Sequence, residues 1–298
     1  MSWLQKIFSG WKTEFDVKQK EQRFIRALSN VPDVFRNAPP PETEEINFRH
    51  SGHAGDMLHS IPAMYALAKG KKVNLYLHLN QPARNFTRQM QHPNGHVMFT
   101  QKTVALFAPL LLIQPQFNRC EAYTDQYIHY DLSLFRDFPF DYRMGSISRW
   151  YFLTFAVNWD LGQPWIQVKP DDSFNDAIIV ARSSRYRTPG ITYHFLQKYP
   201  RIVFVGLPDE FENMRKEIKN MEYKPVANFL EMAAVIAGGK LFVGNQSLPS
   251  GLAEALKVKR VIELSYLTPT TVVEGPDGYD FCYQQQFEKI VTGLLENV

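Results

Sequence analysis

The alternation of strand-like and helix-like segments is the feature that most limits how this chain can fold. From Ile46 onward, apolar runs such as "INFRH" and "KVNLYLHL" alternate with helical stretches such as "DMLHSIPAMYALAKG". The alternation restarts at "AIIVA", after a Pro- and Asp-rich segment that shows no periodicity. Strands that alternate with helices form parallel sheets, so two such series predict an α/β protein with two Rossmann-like domains. Ligands are then expected at the carboxyl ends of the strands and in the cleft between the domains.

On this basis the chain divides into three parts. Residues 1–45 form a helical extension and linker, residues 46–165 an N-terminal domain and residues 166–298 a C-terminal domain. In the extension, "WLQKIFSGW" places aromatic and aliphatic residues on one helical face, and "NAPPPETEE" ends it as an extended linker. We expect this face to pack on its own protein or on a second subunit rather than on a membrane. For the last helix, "YQQQFEKIVTGLLENV", packing back onto the N-terminal domain is an open alternative.

Composition and charge argue against several classes of protein. The 298 residues are 45% hydrophobic and 21% charged, which is typical of a globular chain. The most apolar run, "LFAPLLLI", is too short to span a bilayer, and the start of the sequence does not resemble a signal peptide. Cys120 and Cys282 form no metal or redox motif, so we expect a cytoplasmic protein. A net charge of +3 suits phosphorylated ligands but does not indicate a nucleic-acid binder.

The segment "SGHAGDMLHS" joins the first strand of the series to the first helix. Gly52 and Gly55 let backbone N–H groups approach a ligand, and the N-terminus of the helix attracts anions. The segment is neither a P-loop nor a GxGxxG motif, so a purely structural turn remains an alternative. Asp56 would stabilise the start of the helix, and in a cleft its ionised carboxylate would also accept a proton from a hydroxyl group.

Two further turns follow strands in the second series. "ARSSRYRTPG" carries three arginines and two serines, whose guanidinium and hydroxyl groups match phosphate oxygens: Arg182, Ser183, Ser184, Arg185 and Arg187. A solvated surface loop is the alternative. In "LFVGNQSLPSGLAEALKV" a strand ends and a helix starts near Pro249. The free N–H groups of this helix are a possible anion site, and the alternative is that the segment only connects the strand to the helix.

Together, the three turns resemble those of the heptosyltransferase-like glycosyltransferases of the GT-B class, glycosyltransferase family nine. Members carry a Gly-Asp-hydrophobic-hydrophobic-x-x-Leu/Ile-Pro motif near the N-terminus, which "GDMLHSIPAM" matches. They also carry a turn like "GNDSGPMHLAAALG", whose outline "AAVIAGGKLFVGNQSLPSGLAEALKV" follows. The resemblance spans roughly residues 46–265 and does not cover the N-terminal extension.

The resemblance implies a GT-B fold, with two facing Rossmann-like domains and a deep interdomain cleft. It also implies an inverting transfer of a sugar from a nucleotide-diphosphate donor to an acceptor hydroxyl, without a metal or another cofactor. Asp56 stands at the position of the family's general base. The donor diphosphate is implied to lie opposite the arginine loop, against Asn245, Gln246, Ser247 and Ser250. Gln246 replaces the usual aspartate of the family and Gly251 a frequent histidine, so the identity of the donor stays open.

Other residues near these turns are candidates for the acceptor side of the site. His53 could contact a donor phosphate or an acceptor hydroxyl, whereas a metal site formed by His53, Asp56 and His59 is disfavoured because His53 lies back in the turn. Near the domain junction, the candidates for contact with the acceptor are Asp131, Arg136 and Trp165. Packing and surface ion pairs explain these three residues equally well.

Two other functions remain compatible with the sequence. The acceptor could be a hydroxymethylated base in viral DNA, with charge supplied by Arg84, Arg88, Arg119, Arg143 and Arg149. Alternatively, the chain is a non-catalytic GT-B module that binds a nucleotide or a glycan. The expected partners are a nucleotide sugar and a hydroxyl-bearing acceptor, with an oligomer formed through the N-terminal helix as a further option.

Overall fold

The computed structural model describes residues 3–29, 42–83, 94–137 and 144–296. Within the first of these ranges, side chains are described for residues 14–26 and for Ser29. The described residues form two parallel sheets, of four and six strands, with helices packed on them. This architecture confirms the α/β class and the two Rossmann-like series that the alternating pattern predicts.

The four-stranded sheet belongs to the N-terminal part of the chain. Its strands are β1 (Glu45–His50), β2 (Lys72–Leu77), β3 (Phe117–Ala122) and β4 (Tyr130–Asp131). They lie in the order β3-β2-β1-β4, and every neighbouring pair is parallel. The strand order therefore reverses between β1 and β4, which opens a crevice beyond their carboxyl ends.

The six-stranded sheet repeats this plan. Its strands are β5 (Ile178–Ala181), β6 (Ile202–Phe204), β7 (Met221–Tyr223), β8 (Leu241–Asn245), β9 (Arg260–Glu263) and β10 (Gly278–Phe281). The order β10-β9-β8-β5-β6-β7 is the Rossmann order, with its reversal between β5 and β8. The short strands β7 and β10 were not predicted, because three or four residues show too little periodicity to stand out from a loop.

The described residues contain eight α-helices. Four lie before the second sheet: α1 (Trp3–Ser29), α2 (Ala54–Ala68), α3 (Gln101–Leu112) and α4 (Ile147–Phe155). Three connect strands of the second sheet: α5 (Pro208–Met214), α6 (Phe229–Gly238) and α7 (Leu248–Leu256). The last, α8 (Gln284–Glu296), follows its final strand. The helix predicted around "ITYHFLQKY" is only a 3-10 turn over His194–Lys198.

A continuous hydrophobic core connects the two sheets. Its buried side chains come from β1, α2 and α3 on one side and from α6 and α7 on the other. At its centre, the rings of Phe107 on α3 and Phe229 on α6 meet edge to face, with centroids 4.6 Å apart. A second core covers the outer face of the C-terminal sheet and includes Phe287 and Val291 of α8. The buried residues of the last helix therefore pack on the C-terminal sheet and not across the junction.

The N-terminal helix α1 has few described contacts with the core. Phe24 is half-buried and packs against it, whereas Phe15, Val17 and Ile25 are exposed. The aromatic face predicted over Trp3–Trp11 lies outside the described side chains. Among the residues that the structure describes, no helix combines the length and the apolarity needed to cross a bilayer.

Candidate active site at the two sheet reversals

Asp56 lies at the reversal point of the first sheet, in the first turn of α2. The helix begins at Ala54 with His53 as its N-cap, so Asp56 is the third helical residue and not the cap. Its Oδ2 accepts a hydrogen bond from Nη2 of Arg136, which follows β4 on the other side of the reversal. No described residue donates a hydrogen bond to Oδ1, and the side chain of Asp56 remains 21% exposed.

The charges around Asp56 keep its carboxylate ionised. Burial by itself raises the pKa of Asp56, but the positive charge of Arg136 opposes this effect, with smaller contributions from His53 and His50. The net result is a pKa of Asp56 below its ordinary value. At neutral pH this residue is therefore a hydrogen-bond acceptor and a base, not an acid.

A buried histidine holds the turn that precedes Asp56. The Nδ1 of His50 accepts a hydrogen bond from the N–H of Gly52 at 2.9 Å, and its Nε2 lies 2.7 Å from the hydroxyl of Tyr151. Burial lowers the pKa of His50 to about 3, so the ring is neutral and its proton lies on Nε2. A Cβ atom on Gly52 would lie 2.7 Å from Nη2 of Arg136, so only glycine permits the close approach of this arginine.

Arg136 is placed by a 3-10 turn over Leu132–Arg136 that is anchored on β1. Asp131 caps this turn, because its Oδ1 accepts a hydrogen bond from the N–H of Ser133, and its Oδ2 pairs with Arg49 of β1. The hydroxyl of Ser133 lies 2.7 Å from that of Ser51. Asp131, a predicted acceptor residue, thus has its described contacts within the scaffold of Arg136.

Gly55 has no structural reason to be a glycine. Its backbone is helical, and a Cβ atom placed on it would meet no described atom within 4 Å. Glycine in a helix normally destabilises it relative to alanine. The open space beside Gly55, one residue from Asp56, leaves room for a ligand to approach the backbone at the N-terminus of α2.

The arginine loop that follows β5 lies opposite this turn. Burial lowers the pKa of His53 most, the negative charge of Asp56 opposes this effect, and the positive charges of Arg136 and then Arg185 lower the pKa further. The negative charge of Asp56 in turn helps to raise the pKa of Tyr186, which burial raises most. Arg185 and Tyr186 therefore lie close enough to the Asp56 turn for their charges to influence each other.

Asn245 joins the two turns of the C-terminal domain. It is fully buried at the end of β8, where its Oδ1 accepts from the N–H of Ser183 at 2.9 Å. Its Nδ2 donates to the carbonyl oxygens of Ser183 and Arg185. The hydroxyls of Ser247 and Ser250 both donate to the carbonyl of Asn245. These three side chains, predicted to bind the donor, thus hold the arginine loop against the N-terminus of α7.

Two of the predicted phosphate-binding arginines support the loop from within. Arg182 is only 3% exposed and makes two hydrogen bonds to the buried carboxylate of Glu263, at 2.8 and 3.1 Å. Arg187 donates to the carbonyl oxygen of Ser183 and to Oδ1 of Asn213. Both guanidinium groups are thus engaged by the protein, whereas the side chain of Ser184 is exposed and that of Arg185 is half-buried. Donor binding by the loop stays a prediction.

Gln246 also has a structural role. Its Nε2 donates to the carbonyl of Thr268 and to the hydroxyl of Thr270, and its Oε1 accepts from the N–H of Ser265. The side chain thereby holds the loop that follows β9. An aspartate, as in the family motif, has no N–H to donate to these two acceptors. The exchange to glutamine is thus explained by this loop.

The helices α2 and α7, which follow the Asp56 turn and the Asn245 turn, are in direct contact. A Cβ atom on Gly251 of α7 would lie 3.1 Å from Leu58 and 3.5 Å from His59 of α2, so a histidine here would separate the helices. Trp165, a predicted acceptor residue, is 4% exposed and packs at this contact beneath Lys257, whose Nζ lies 4.8 Å from the ring centre. A polar cavity of about 10 Å³, the size of one water molecule, lies beside it.

Of the five arginines proposed for DNA binding, the structure describes two. Arg84, Arg88 and Arg143 lie outside the described residues. Arg119 and Arg149 are paired with Glu121 and Glu274. Within the ranges that the structure describes, no group of three or more His, Cys, Asp or Glu side chains is placed to hold a metal ion.

Sequence reasoning missed two buried residues on which the site depends. Glu263 binds Arg182 and the N–H of Thr188, and His50 holds the Gly52 turn. Each is a polar residue at the carboxyl end of an apolar strand, "RVIE" and "INFRH". A polar side chain in such a position must find a partner, and this signal was available in the sequence.

Comparisons of sequence find no similar protein: no protein-family model matches the chain, and no curated protein matches it. Comparisons of structure do find similar folds. E. coli heptosyltransferase WaaC with ADP-2-deoxy-2-fluoro heptose matches with a TM-score of 0.54 and 12% identity, over 85% of this chain and 100% of that chain. WaaC with ADP matches with a TM-score of 0.50 and 13% identity, over 84% and 99%.

E. coli ADP-heptose LPS heptosyltransferase II gives a TM-score of 0.54 and 14% identity, over 85% of this chain and 99% of that chain. Likeness at such low identity establishes the fold alone. This chain therefore has the GT-B fold of the heptosyltransferases, and the resemblance predicted from its sequence motifs is confirmed at the level of fold.

Proposed function

We propose that the protein is an inverting glycosyltransferase that transfers a sugar from a nucleotide-diphosphate donor to an acceptor hydroxyl. One observation carries the proposal: the ionised carboxylate of Asp56, with one oxygen to which no described residue donates, lies at the reversal of one sheet and near a cationic loop at the reversal of the other. Reversal points are where α/β sheets bind ligands. Solved structures with this fold contain ADP or an ADP-heptose analogue, which supports a donor of this class.

In the proposed reaction, Oδ1 of Asp56 takes the proton of the acceptor hydroxyl. The acceptor oxygen then forms a bond to the anomeric carbon of the donor while the bond from that carbon to the diphosphate breaks. Negative charge grows on the leaving diphosphate, where Arg185 and the first N–H groups of α7 would stabilise it. These cationic and dipolar groups replace a metal ion in the proposal. A single displacement of this kind inverts the anomeric centre.

A panel of nucleotide sugars tests the proposal. The protein would be incubated with UDP-, GDP-, ADP- and CMP-sugars, with unfolding temperature and donor hydrolysis as the two readouts. A donor at 100 times its Kd stabilises the native state by about 2.7 kcal/mol, which raises the unfolding temperature measurably. We expect one nucleoside diphosphate to stabilise the chain and its sugar to be hydrolysed slowly. Absence of binding and hydrolysis across the panel would refute the proposal, and binding without turnover would favour the non-catalytic module.

A further inference from the structure

Arg136 is the described cation in direct contact with Asp56, and its own surroundings are unusual. Its side chain is 17% exposed. Among the described residues, its Nε has no hydrogen-bond partner, and its Nη1 contacts the weakly accepting sulfur of Met98 at 3.1 Å. A guanidinium group carries five N–H donors. Among the residues that the structure describes, its one strong acceptor is Oδ2 of Asp56.

Two features of the surrounding structure allow the contact between Arg136 and Asp56. Gly52 is kept without a side chain, since a Cβ atom there would collide with Nη2 of Arg136. Four side chains fix the turn that carries Arg136, through the Arg49–Asp131 and Ser51–Ser133 pairs. An ordinary solvent-exposed ion pair is not held by such a set of supporting contacts.

We propose that Arg136 is a positioning residue that holds Oδ2 of Asp56 and directs the open Oδ1 toward the acceptor hydroxyl. The inference rests on the proposed function, in which Asp56 is the base. Arg136 holds the carboxylate ionised in a pocket that would otherwise favour its neutral form. It binds a single oxygen, so the other oxygen remains available to the substrate.

Other groups around Asp56 do not replace this charge. Five other titratable side chains interact electrostatically with Asp56. They come from β1, the N-cap of α2, α2 itself, α4 and the arginine loop, and are His50, His53, His59, Tyr151 and Tyr186. Burial lowers the pKa of all three histidines, and burial raises the pKa of both tyrosines. All five are therefore neutral at pH 7, and Arg136 is the cation that contacts the carboxylate directly.

The test is an NMR titration of the Asp56 carboxyl carbon in protein labelled with ¹³C-aspartate, with Asp56→Asn used for assignment. In the wild type we expect Asp56 to titrate below its ordinary pKa. In Arg136→Gln, the largest effect that opposes burial is lost, so we expect the midpoint to rise by about one pH unit or more. Arg136→Lys, which keeps the charge, should reverse much of this rise. The acid limb of kcat/KM should move with the midpoint, and kcat on the plateau should fall about 10–100-fold in Arg136→Gln.

Arg201→Gln is the matched control, because Arg201 pairs with Asp176 outside the scaffold that holds Arg136. It should raise the pKa of Asp176, which Arg201 lowers, and leave that of Asp56 unchanged. A wild-type Asp56 that titrates at or above the ordinary value would overturn the inference, even if Arg136→Gln did not fold. An Asp56 midpoint unmoved in folded Arg136→Gln would overturn it as well.

The titration needs no substrate, so the two proposals can fail separately. A shifted Asp56 in a protein without transferase activity would refute the proposed function but keep Arg136 as the residue that positions the carboxylate. Full transfer activity with an unshifted Asp56 would do the reverse.

Discussion

Residues of the same chemical type have opposite roles in this protein, and burial decides between them. Asp56 and Arg136 form a pair whose side chains remain 21% and 17% exposed, whereas Glu263 and Arg182 form a pair that is almost fully enclosed. An open carboxylate can exchange a proton with a substrate, whereas an enclosed one is committed to its partner.

At the residue scale, Asp56→Asn is the direct test of the base. The amide oxygen can still accept a hydrogen bond from Arg136, but it cannot take a proton. We expect kcat per folded molecule to fall on the order of 10²–10⁴-fold, with nucleotide affinity near that of the wild type. Turnover assays and isothermal titration with the nucleotide would measure both effects. If Asp56→Asn keeps full turnover, Asp56 has only a structural role.

The two arginines of the loop after β5 should separate binding from folding. Arg185→Ala is expected to weaken nucleotide binding by about 1.5–3 kcal/mol, the value of a charged hydrogen bond, with little change in stability. Arg182→Ala leaves Glu263 buried without its cation and should destabilise the fold by about 3–5 kcal/mol. Titration calorimetry and urea unfolding on both variants give the comparison. Exchanged effects would mean that Arg182 is the ligand-binding residue.

At the scale of secondary-structure elements, Gly55 lowers the stability of the first turn of α2, because alanine would be more favourable than glycine at this helical position. Gly55→Ala should stabilise the fold by about 0.5–1 kcal/mol. If a ligand uses the open space beside it, kcat/KM should fall at the same time. Urea unfolding measures the change in stability, and initial rates measure the change in kcat/KM. Raised stability with unchanged kcat/KM would show that no ligand occupies this space.

Gly251→Ala provides the control for this element. Gly251 is likewise a helical glycine, but its Cβ would meet Leu58 of the other domain at 3.1 Å. The gain in helix propensity is then offset by crowding at the contact between α2 and α7. We therefore expect a smaller stabilisation than for Gly55→Ala, or none.

At the scale of the whole molecule, buried neutral histidines make stability depend on pH. His50 has a pKa of about 3 in the native state, whereas in the unfolded chain it titrates near its ordinary value of 6.5. Between these values the unfolded state binds a proton that the native state does not, so stability falls as the pH is lowered. The contribution of this one residue is about 1.4 kcal/mol per pH unit.

Urea unfolding at several values between pH 7 and pH 4 would measure this slope. His50→Gln keeps one donor for Tyr151 and one acceptor for Gly52 but cannot titrate. The slope of stability against pH should therefore fall by about 1.4 kcal/mol per pH unit, the value for one proton. An unchanged slope in this variant would show that His50 does not carry the effect.

The sequence by itself determined most of the elements and their order along the chain, but not the short strands β7 and β10 or the 3-10 turn over His194–Lys198. Helix and strand periodicity, the glycines of the first turn and the serine and proline of the last turn act through neighbours a few residues apart, so they can be read from one strand or helix at a time. The positions of Asp56 and Arg185 at strand ends followed from this local pattern, and so did the two-domain α/β fold.

Only the tertiary structure decided which of these residues share a site. Arg136 reaches Asp56 across 80 residues of chain because β4 pairs with β1, and Asn245 reaches Ser183 across 62 because β8 pairs with β5. Strand order is set by the burial of whole sheet faces and by hydrogen bonding between distant segments, which no local pattern records. For the same reason, the sequence could not separate Arg182, enclosed by Glu263 of a third strand, from Arg185, which lies near the Asp56 turn.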